Sequence, residues 1–251
     1  MQAGYEARRE GSGIEGMILT RDLDEPPVQM SGIRGRIAQR MRESLATTAQ
    51  YTLNASADAS ALLALRKRIK AGGGTDININ DMVMFAVIRA LAEMPELNAE
   101  LVDGNIYRRE EIHLGFACDT DRGLLVPVVK NCGGLSLEEL SLRVGLLTGQ
   151  ATQGSISPDD LSGATFTVSN LGNLGIESFT PIINPPQVAV LGVDAIALKP
   201  VRREGGVEFV DHIGFSLTCD HQVIDGAPGA RFLKVLRQKI EAIESIADVK
   251  L

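Results

Sequence analysis

The chain of 251 residues contains no tryptophan, and aromatic residues make up only 4% of it. Its core must therefore be built from aliphatic side chains. Positive charge is also short: 25 Lys and Arg against 32 Asp and Glu leave a net charge of −7. A duplex nucleic-acid binder needs a basic stripe to neutralise phosphates, and none is present. The one basic cluster, Arg66-Lys67-Arg68, reads as the solvated face of an amphipathic helix. The three cysteines, Cys118, Cys132 and Cys219, contain no C-x-x-C pair. Such a sparse, odd count argues against a disulfide framework and fits a reducing, cytoplasmic compartment. No apolar run approaches the ~20 residues a membrane helix needs, and no basic-then-apolar signal peptide opens the chain. The G-x-S-x-G nucleophile elbow is missing. So is the Lys-Ser/Thr that would turn Gly72-Gly73-Gly74 into a phosphate loop. The three histidines, His113, His212 and His221, have no metal-ligand spacing, and no metal is expected.

What remains is an ordinary globular balance, 44% hydrophobic and 23% charged. It is enough for one large domain or two small ones. Residues 1–28 are polar, Gly-rich and end near Pro26-Pro27, which reads as a tail or linker. The body is expected over 29–251. Ser31 can cap a helix through IRGRIAQRMRESLA, with Ile33, Ile37 and Met41 on one face. YTLNASAD alternates like a strand. Ser60 is the expected cap of ALLALRKRIKA, which the glycine run then stops. INDMVMFAVIRALAEM is apolar nearly all round and should be buried. Two short strands are expected around Asp103-Gly104, and two more, IHLGFACDT and GLLVPVVK, around a turn at Asp119–Gly123. Pro127 lacks an N–H, so its strand must lie at an edge or break there. A helix at LSLEELSLRVGLLTGQA follows, then strands at ATFTVSN, QVAVLGVDAIAL and GVEFVDHIGFSLTC, and a closing helix from Gly226. Short links between strands require antiparallel pairs. The expected fold is α/β: a two-layer sandwich with a mixed, largely antiparallel sheet and flanking helices.

Three stretches can carry chemistry. SLTCDHQVIDGAPGARFL places His221 at a strand end, between Asp220 and Asp225 and just before a helix. Histidine titrates near neutrality and can take a proton from a thiol or hydroxyl. A histidine hydrogen-bonded at a strand end for purely structural reasons has the same spacing. In TFTVSNLGNLG, Ser169 closes a strand before a glycine turn, where its hydroxyl could stabilise an oxyanion or simply serve the turn. GLLVPVVK offers an edge to a channel or partner. His113 and His212, each at the start of an apparent strand, read as rim residues, and Cys118 and Cys132 as structural.

Together these stretches resemble the catalytic domain of the dihydrolipoamide acyltransferases, the core components of 2-oxoacid dehydrogenase complexes, which share the chloramphenicol acetyltransferase fold. IRGRIAQRM, YTLNASADASALLALR, PELNAEL, GLLVPVV, GATFTVSNLGNLG, FTPIINPPQVAVLGV and DHQVIDGAPGARFL occur in the family order over roughly 29–249. The resemblance implies that His221 is the general base, Ser169 the oxyanion stabiliser, and Asp225 the carboxylate of the histidine motif. Asp225 then supports the loop, with Arg34 or Arg40 as its ionic partner. It implies coenzyme A as a substrate, a lipoyl group supplied in trans, and transfer of an acyl group, acetyl first among them. It further implies a homotrimer with serine and histidine from different chains, building into a cubic or dodecahedral core. Its partners would be a lipoyl domain, the decarboxylase and dihydrolipoamide dehydrogenase, with no nucleic acid or membrane.

The sequence departs from the family pattern in places. Gln222 stands where an arginine is usual, and Ala49-Gln50 where Pro-His is frequent. No lipoyl Asp-Lys-Ala turn occurs, and GSGIEGMILTRDLDE looks like a remnant of a peripheral subunit-binding domain. The chain is expected to be a piece of a longer protein or a stand-alone core. Two rival readings are a chloramphenicol-type acetyltransferase with a hydroxyl acceptor, and a catalytically silent scaffold.

Overall fold

The computed structural model describes residues 14–17, 19, 30–73, 76–121 and 123–247. It divides into two compact units, residues 1–39 and 40–251. In the first, the described part ahead of residue 30 includes a single 3-10 turn, Ile14–Gly16. The expected subunit-binding remnant otherwise lies outside the described residues. Helix α1 (Gly32–Thr47) contains the boundary between the units. Of its predicted face, Ile37 and Met41 are half-buried, and the Ile33 side chain lies outside what is described.

The second unit continues with β1 (Gln50–Asp58), α2 (Ser60–Gly72) and α3 (Ile79–Glu93). Four short strand pieces come next: β2 (Ala99–Val102), β3 (Asn105–Arg108), β4 (Leu114–Phe116) and β5 (Cys118–Thr120). Then follow β6 (Gly123–Leu125), β7 (Val128–Val129), α4 (Leu137–Gln153) and β8 (Phe166–Asn170). Two long strands, β9 (Ala189–Arg203) and β10 (Gly206–Asp220), precede α5 (Gly226–Glu241) and α6 (Ile243–Ile246). No helix among the described residues is long and apolar enough to cross a membrane.

The main sheet has six strands in the order β1-β10-β9-β8-β4-β7. Its β9–β8 and β8–β4 pairs are parallel and the rest antiparallel, so it is mixed as expected. Two corrections come from this region. IHLGFACDT and GLLVPVVK are not single strands. Each breaks in two, with β4 and β7 in the main sheet and β5–β6 forming a separate ribbon. Pro127 sits at the break, and its carbonyl still accepts from Phe116 N at 3.0 Å. Nor does Ser60 cap α2. Ser60 is already helical, and the Asp58 carboxylate accepts from its N–H at 2.8 Å instead.

Period-two alternation gives the sheet two unlike faces. Leu53, Leu217, Leu191 and Val168 align across β1, β10, β9 and β8, the last three within the hydrophobic core and Leu53 packed against it. At the centre of that core is α3, with ten residues buried. It starts from a capping box in which Asn78 and Asp81 exchange side chain-to-backbone bonds. The opposite face carries Thr52, Asn54, Ser216, Thr218, Gly192, Thr167 and Ser169. A strap of residues 176–187 runs over it. Phe179 N donates to Ser216 Oγ at 3.3 Å, and Thr167 Oγ1 donates to Gln187 Oε1 at 2.7 Å. Gly192 is glycine for this reason, since a Cβ there would lie 2.7 Å from the Phe179 ring.

Candidate active site

His221 stands in the turn that leaves β10. Its backbone N–H donates to Ala49 O at 2.9 Å, while Val223 N and Ile224 N fold back onto Asp220 O. The imidazole is half-exposed, and its Nδ1 lies 3.5 Å from Asp225 Oδ1. That side of the ring faces the carboxylate, which leaves Nε2 directed away from it. Asp225 occupies the N-cap position of α5, yet its side chain makes no capping bond. Its carboxylate turns to His221 rather than to its own helix.

Asp220 serves a different end. It is buried, and its Oδ1 accepts from Ala49 N and Gln222 N, both at 3.0 Å. Gln222 Nε2 adds contacts at 3.1 Å to both carboxylate oxygens and one at 2.9 Å to Thr47 O. The knot ties the histidine turn to the end of α1 and the start of β1. Gln50 extends it, donating to Ser44 Oγ and Thr48 Oγ1 and accepting from Ile183 N in the strap. Both departures from the family pattern, Gln50 and Gln222, are thus in structural use. Arg40 donates to Pro185 O at 2.9 Å rather than to Asp225.

Tyr51, on β1, touches both members of the histidine–aspartate pair. Its ring centroid lies 4.9 Å from that of His221 at a tilt of 56°. Its hydroxyl donates to Asp225 O at 2.9 Å. Burial, reinforced by Cys219 and Asp225, pushes the phenol well above the ordinary tyrosine range, so it stays a neutral donor. Cys219 beside it is pushed up to about 12, chiefly by burial, and is inert as a nucleophile at neutral pH.

Ser169 is the fourth of the five β8 residues. It opens on a cleft of about 970 Å³, walled also by Asn80, Phe116, Asn170, Gly172 and Asp194. That size is within the usual range for small-molecule sites. Among the described residues its hydroxyl has no hydrogen-bond partner. The turn beyond it depends on Gly172, where a Cβ would lie 2.4 Å from Asp194 O. Asp194 is buried in the cleft wall and accepts from Ser216 Oγ at 2.9 Å. Burial raises its carboxyl to about 6 against the pull of Ser216 and Lys199. Arg66, expected on a solvated face, also lines this cleft.

The fold does not bring Ser169 and His221 together. Ser169 pairs with Gly192 and Gly192 with Ser216, while His221 lies five residues beyond Ser216. Two strand spacings and five residues of rise put them roughly 15–20 Å apart within one chain. Neither His221 nor Asp225 lines the cleft.

The other histidines have local partners. His113 Nδ1 accepts from Asn131 N at 2.8 Å. His212 is not at a strand start but seven residues into β10, half-buried, with Nδ1 3.0 Å from Val210 O. Cys132 is buried, donates to Ile112 O and is pushed up to about 11 by desolvation. Tyr51 and Asp220 lie within quoted segments, YTLNASAD and DHQVIDG, but nothing in those segments marks the contacts they make. The one available signal is Gly229, a glycine inside an otherwise amphipathic helix, which marks a close approach by another side chain.

The family model "2-oxoacid dehydrogenases acyltransferase (catalytic domain)" matches residues 23–247. A dihydrolipoyllysine-residue acetyltransferase component of the acetoin cleaving system of Bacillus subtilis is 37% identical over 218 residues, covering 85% of this chain and 55% of that protein. Component 3 of the mitochondrial pyruvate dehydrogenase complex of Arabidopsis thaliana is 33% identical, with 94% and 50% covered. The chain thus spans about half the length of the curated relatives it matches. Among solved structures, the cubic core of a pyruvate dehydrogenase multienzyme complex superposes with a TM-score of 0.84 at 34% identity, over 89% of this chain and 94% of that one. The Azotobacter vinelandii dihydrolipoamide acetyltransferase gives 0.85 at 33%, with the same coverage. Its reported study addresses the role of a serine, a histidine and an asparagine in the catalytic mechanism, spaced 52 and then 4 residues apart. A chloramphenicol acetyltransferase shares the fold, with a TM-score of 0.53 at 17% identity over 85% of this chain and 97% of that one.

Proposed function

The chain belongs to the 2-oxoacid dehydrogenase acyltransferase family, matching its catalytic domain, and from that premise we propose that it moves an acyl group, acetyl first among them, between dihydrolipoamide and coenzyme A. His221 is the general base, Ser169 the oxyanion donor and Asp225 the carboxylate that orients the base. The observation that carries this reading is a spacing. Ser169, His221 and Asp225 stand 52 and 4 residues apart, the same intervals as the serine, histidine and asparagine studied in the Azotobacter enzyme. The acetyl preference rests on relatives that are named acetyltransferases of pyruvate and acetoin systems.

In this mechanism His221 Nε2 takes the proton of the attacking thiol. The thiolate sulfur bonds to the thioester carbonyl carbon, and the oxygen that becomes negative accepts from Ser169. When the tetrahedral adduct collapses, the old carbon–sulfur bond breaks and His221 returns the proton to the departing thiolate. One thioester replaces another, so little chemical driving force is required. The protein need supply positioning, a base and one oxyanion donor. The separation of Ser169 from His221 within one chain favours a site completed by a neighbouring subunit, in a trimer that serves as the core for a lipoyl domain, the decarboxylase and dihydrolipoamide dehydrogenase.

The test is thioester formation from acetyl-CoA and dihydrolipoamide. Activity is expected, and His221→Ala should lower it ~10²-fold or more. No rate above background from the folded, assembled protein overturns the enzyme reading. Chloramphenicol acetylation in its place would move the substrate to a hydroxyl acceptor.

A further inference from the structure

The proposed base has little to hold it still. The His221 and Asp225 side chains are 55% and 81% exposed and 3.5 Å apart. An exposed pair at that distance is too weak to fix an imidazole rotamer against rotation in water. A general base must nevertheless be placed to within a fraction of an ångström of the proton it takes.

Tyr51 supplies the missing restraint. Its ring packs against the imidazole, and its hydroxyl donates to the carbonyl of Asp225 at the N-terminus of α5. One side chain therefore constrains the base directly and its carboxylate partner through the backbone. The tyrosine itself is anchored in β1, whose Cα partner at this position is Cys219. Helix α5 gives way to it. A Cβ at Gly229 would lie 3.0 Å from the Tyr51 hydroxyl oxygen and 3.2 Å from Leu53 Cδ1, tighter than ordinary contact. Glycine inside a helix is less stable than alanine would be. That cost secures the space the hydroxyl occupies.

We propose that Tyr51 is a positioning residue for the His221 base, and that Gly229 is glycine so that the Tyr51 hydroxyl can reach the Asp225 carbonyl. The inference rests on the reading of His221 given above. It assigns Tyr51 no contact with substrate.

Four variants of the assembled protein test it, with kcat, both KM values and the melting temperature measured for each. Tyr51→Phe keeps the ring and loses the hydroxyl, so kcat should fall about 3- to 10-fold with both KM values unchanged. Gly229→Ala should lower kcat by a similar factor while the melting temperature holds or rises, because alanine favours the helix. A purely structural role predicts the opposite for this variant, activity following stability. In the double variant Tyr51→Phe/Gly229→Ala, the nearer of the two atoms that the new Cβ would crowd is gone, and only the flexible end of Leu53 remains close. Its kcat should return to the level of Tyr51→Phe alone, not to the product of the two losses. His221→Ala is the control. If it loses ~10²-fold while both single variants stay within about twofold of the parent, the positioning role is overturned and the base assignment stands. Independent multiplication of the two losses overturns the Tyr51–Gly229 coupling. If His221→Ala keeps its rate, the base assignment itself has failed, and the Tyr51 role with it.

Discussion

Two aspartates flank His221, and only their surroundings tell them apart. Asp220 is sealed in a knot of four donor contacts, whereas Asp225 is exposed with its carboxylate facing the imidazole. The Azotobacter enzyme has asparagine at the interval where this chain has Asp225. A carboxamide oxygen can orient an imidazole as a carboxylate oxygen does. Asp225→Asn should therefore keep kcat within about fivefold, and Asp225→Ala should lose about 10-fold or more; equal losses in steady-state kinetics would make the charge essential. Asp194 permits a prediction in pH. Burial raises its carboxyl from 3.8 to about 6 in the folded protein. A raised folded value means that the folded state holds the proton more tightly than the unfolded chain does. The stability this contributes is complete below about pH 4 and lost as pH rises through 6. Asp194→Asn removes the dependence. Its melting temperature should match the parent near pH 4 and exceed it above pH 7, and a constant offset across that range would refute the account. The roles of neither aspartate could be read locally. Asp220's donor Ala49 is 171 positions away, and Asp194's burial depends on the Gly172 turn and Gly214 packing against it.

At the scale of elements, the sequence was most legible where one rule governs a whole segment. β9, β10 and α5 each form where a long periodic segment places them, although β9 runs on to Arg203, a register shift interrupts its ladder with β10, and the closing helix breaks at Ala242 before α6. Legibility fails where neighbours compete. Asp58 and Ser60 are both good cap residues, yet the N-cap position falls on Ala59 between them, and Asp58 accepts from Ser60 N–H from one position earlier. The segments around Pro127 have enough strand character for two strands, but each divides between two sheets, the first at Ala117 and the second beside Pro127, which has no N–H for the ladder. The capping box of α3 was there to be read in Asn78-x-x-Asp81, though the aspartate is not the usual glutamate. Because α3 lies at the middle of the core, that cap should matter to the whole unit. Asn78→Ala is expected to lower stability by about 1 kcal/mol. The urea midpoint should shift with an unchanged slope. A changed slope would mean that the helix start frays in the folded state instead.

At the scale of the molecule, the sheet bears on the proposed sharing of Ser169 and His221 between subunits. Its apolar face is closed by helices of the same chain, and its polar face holds Ser169 and the strap. The histidine turn lies past the end of β10, five residues beyond the row that contains the serine. No side-chain motion spans roughly 15–20 Å, and strands paired along their length cannot slide to close it. A second copy related by rotation can present its histidine to this serine, as a ring-forming, head-to-tail interface would. Mixing two inactive chains tests that arrangement. Ser169→Ala retains a working histidine, and His221→Ala retains a working serine. If each site unites the two residues from different chains, equal amounts assembled together will restore an intact pair at about one interface in four. The mixture should then recover about a quarter of the parent rate per site, while each chain assembled alone remains inactive. A mixture as inactive as its components would place both residues in one chain and require the sheet to open. Recovery that appears only when the chains are unfolded and reassembled together, and not when preformed oligomers are mixed, would locate the shared site at the subunit interface.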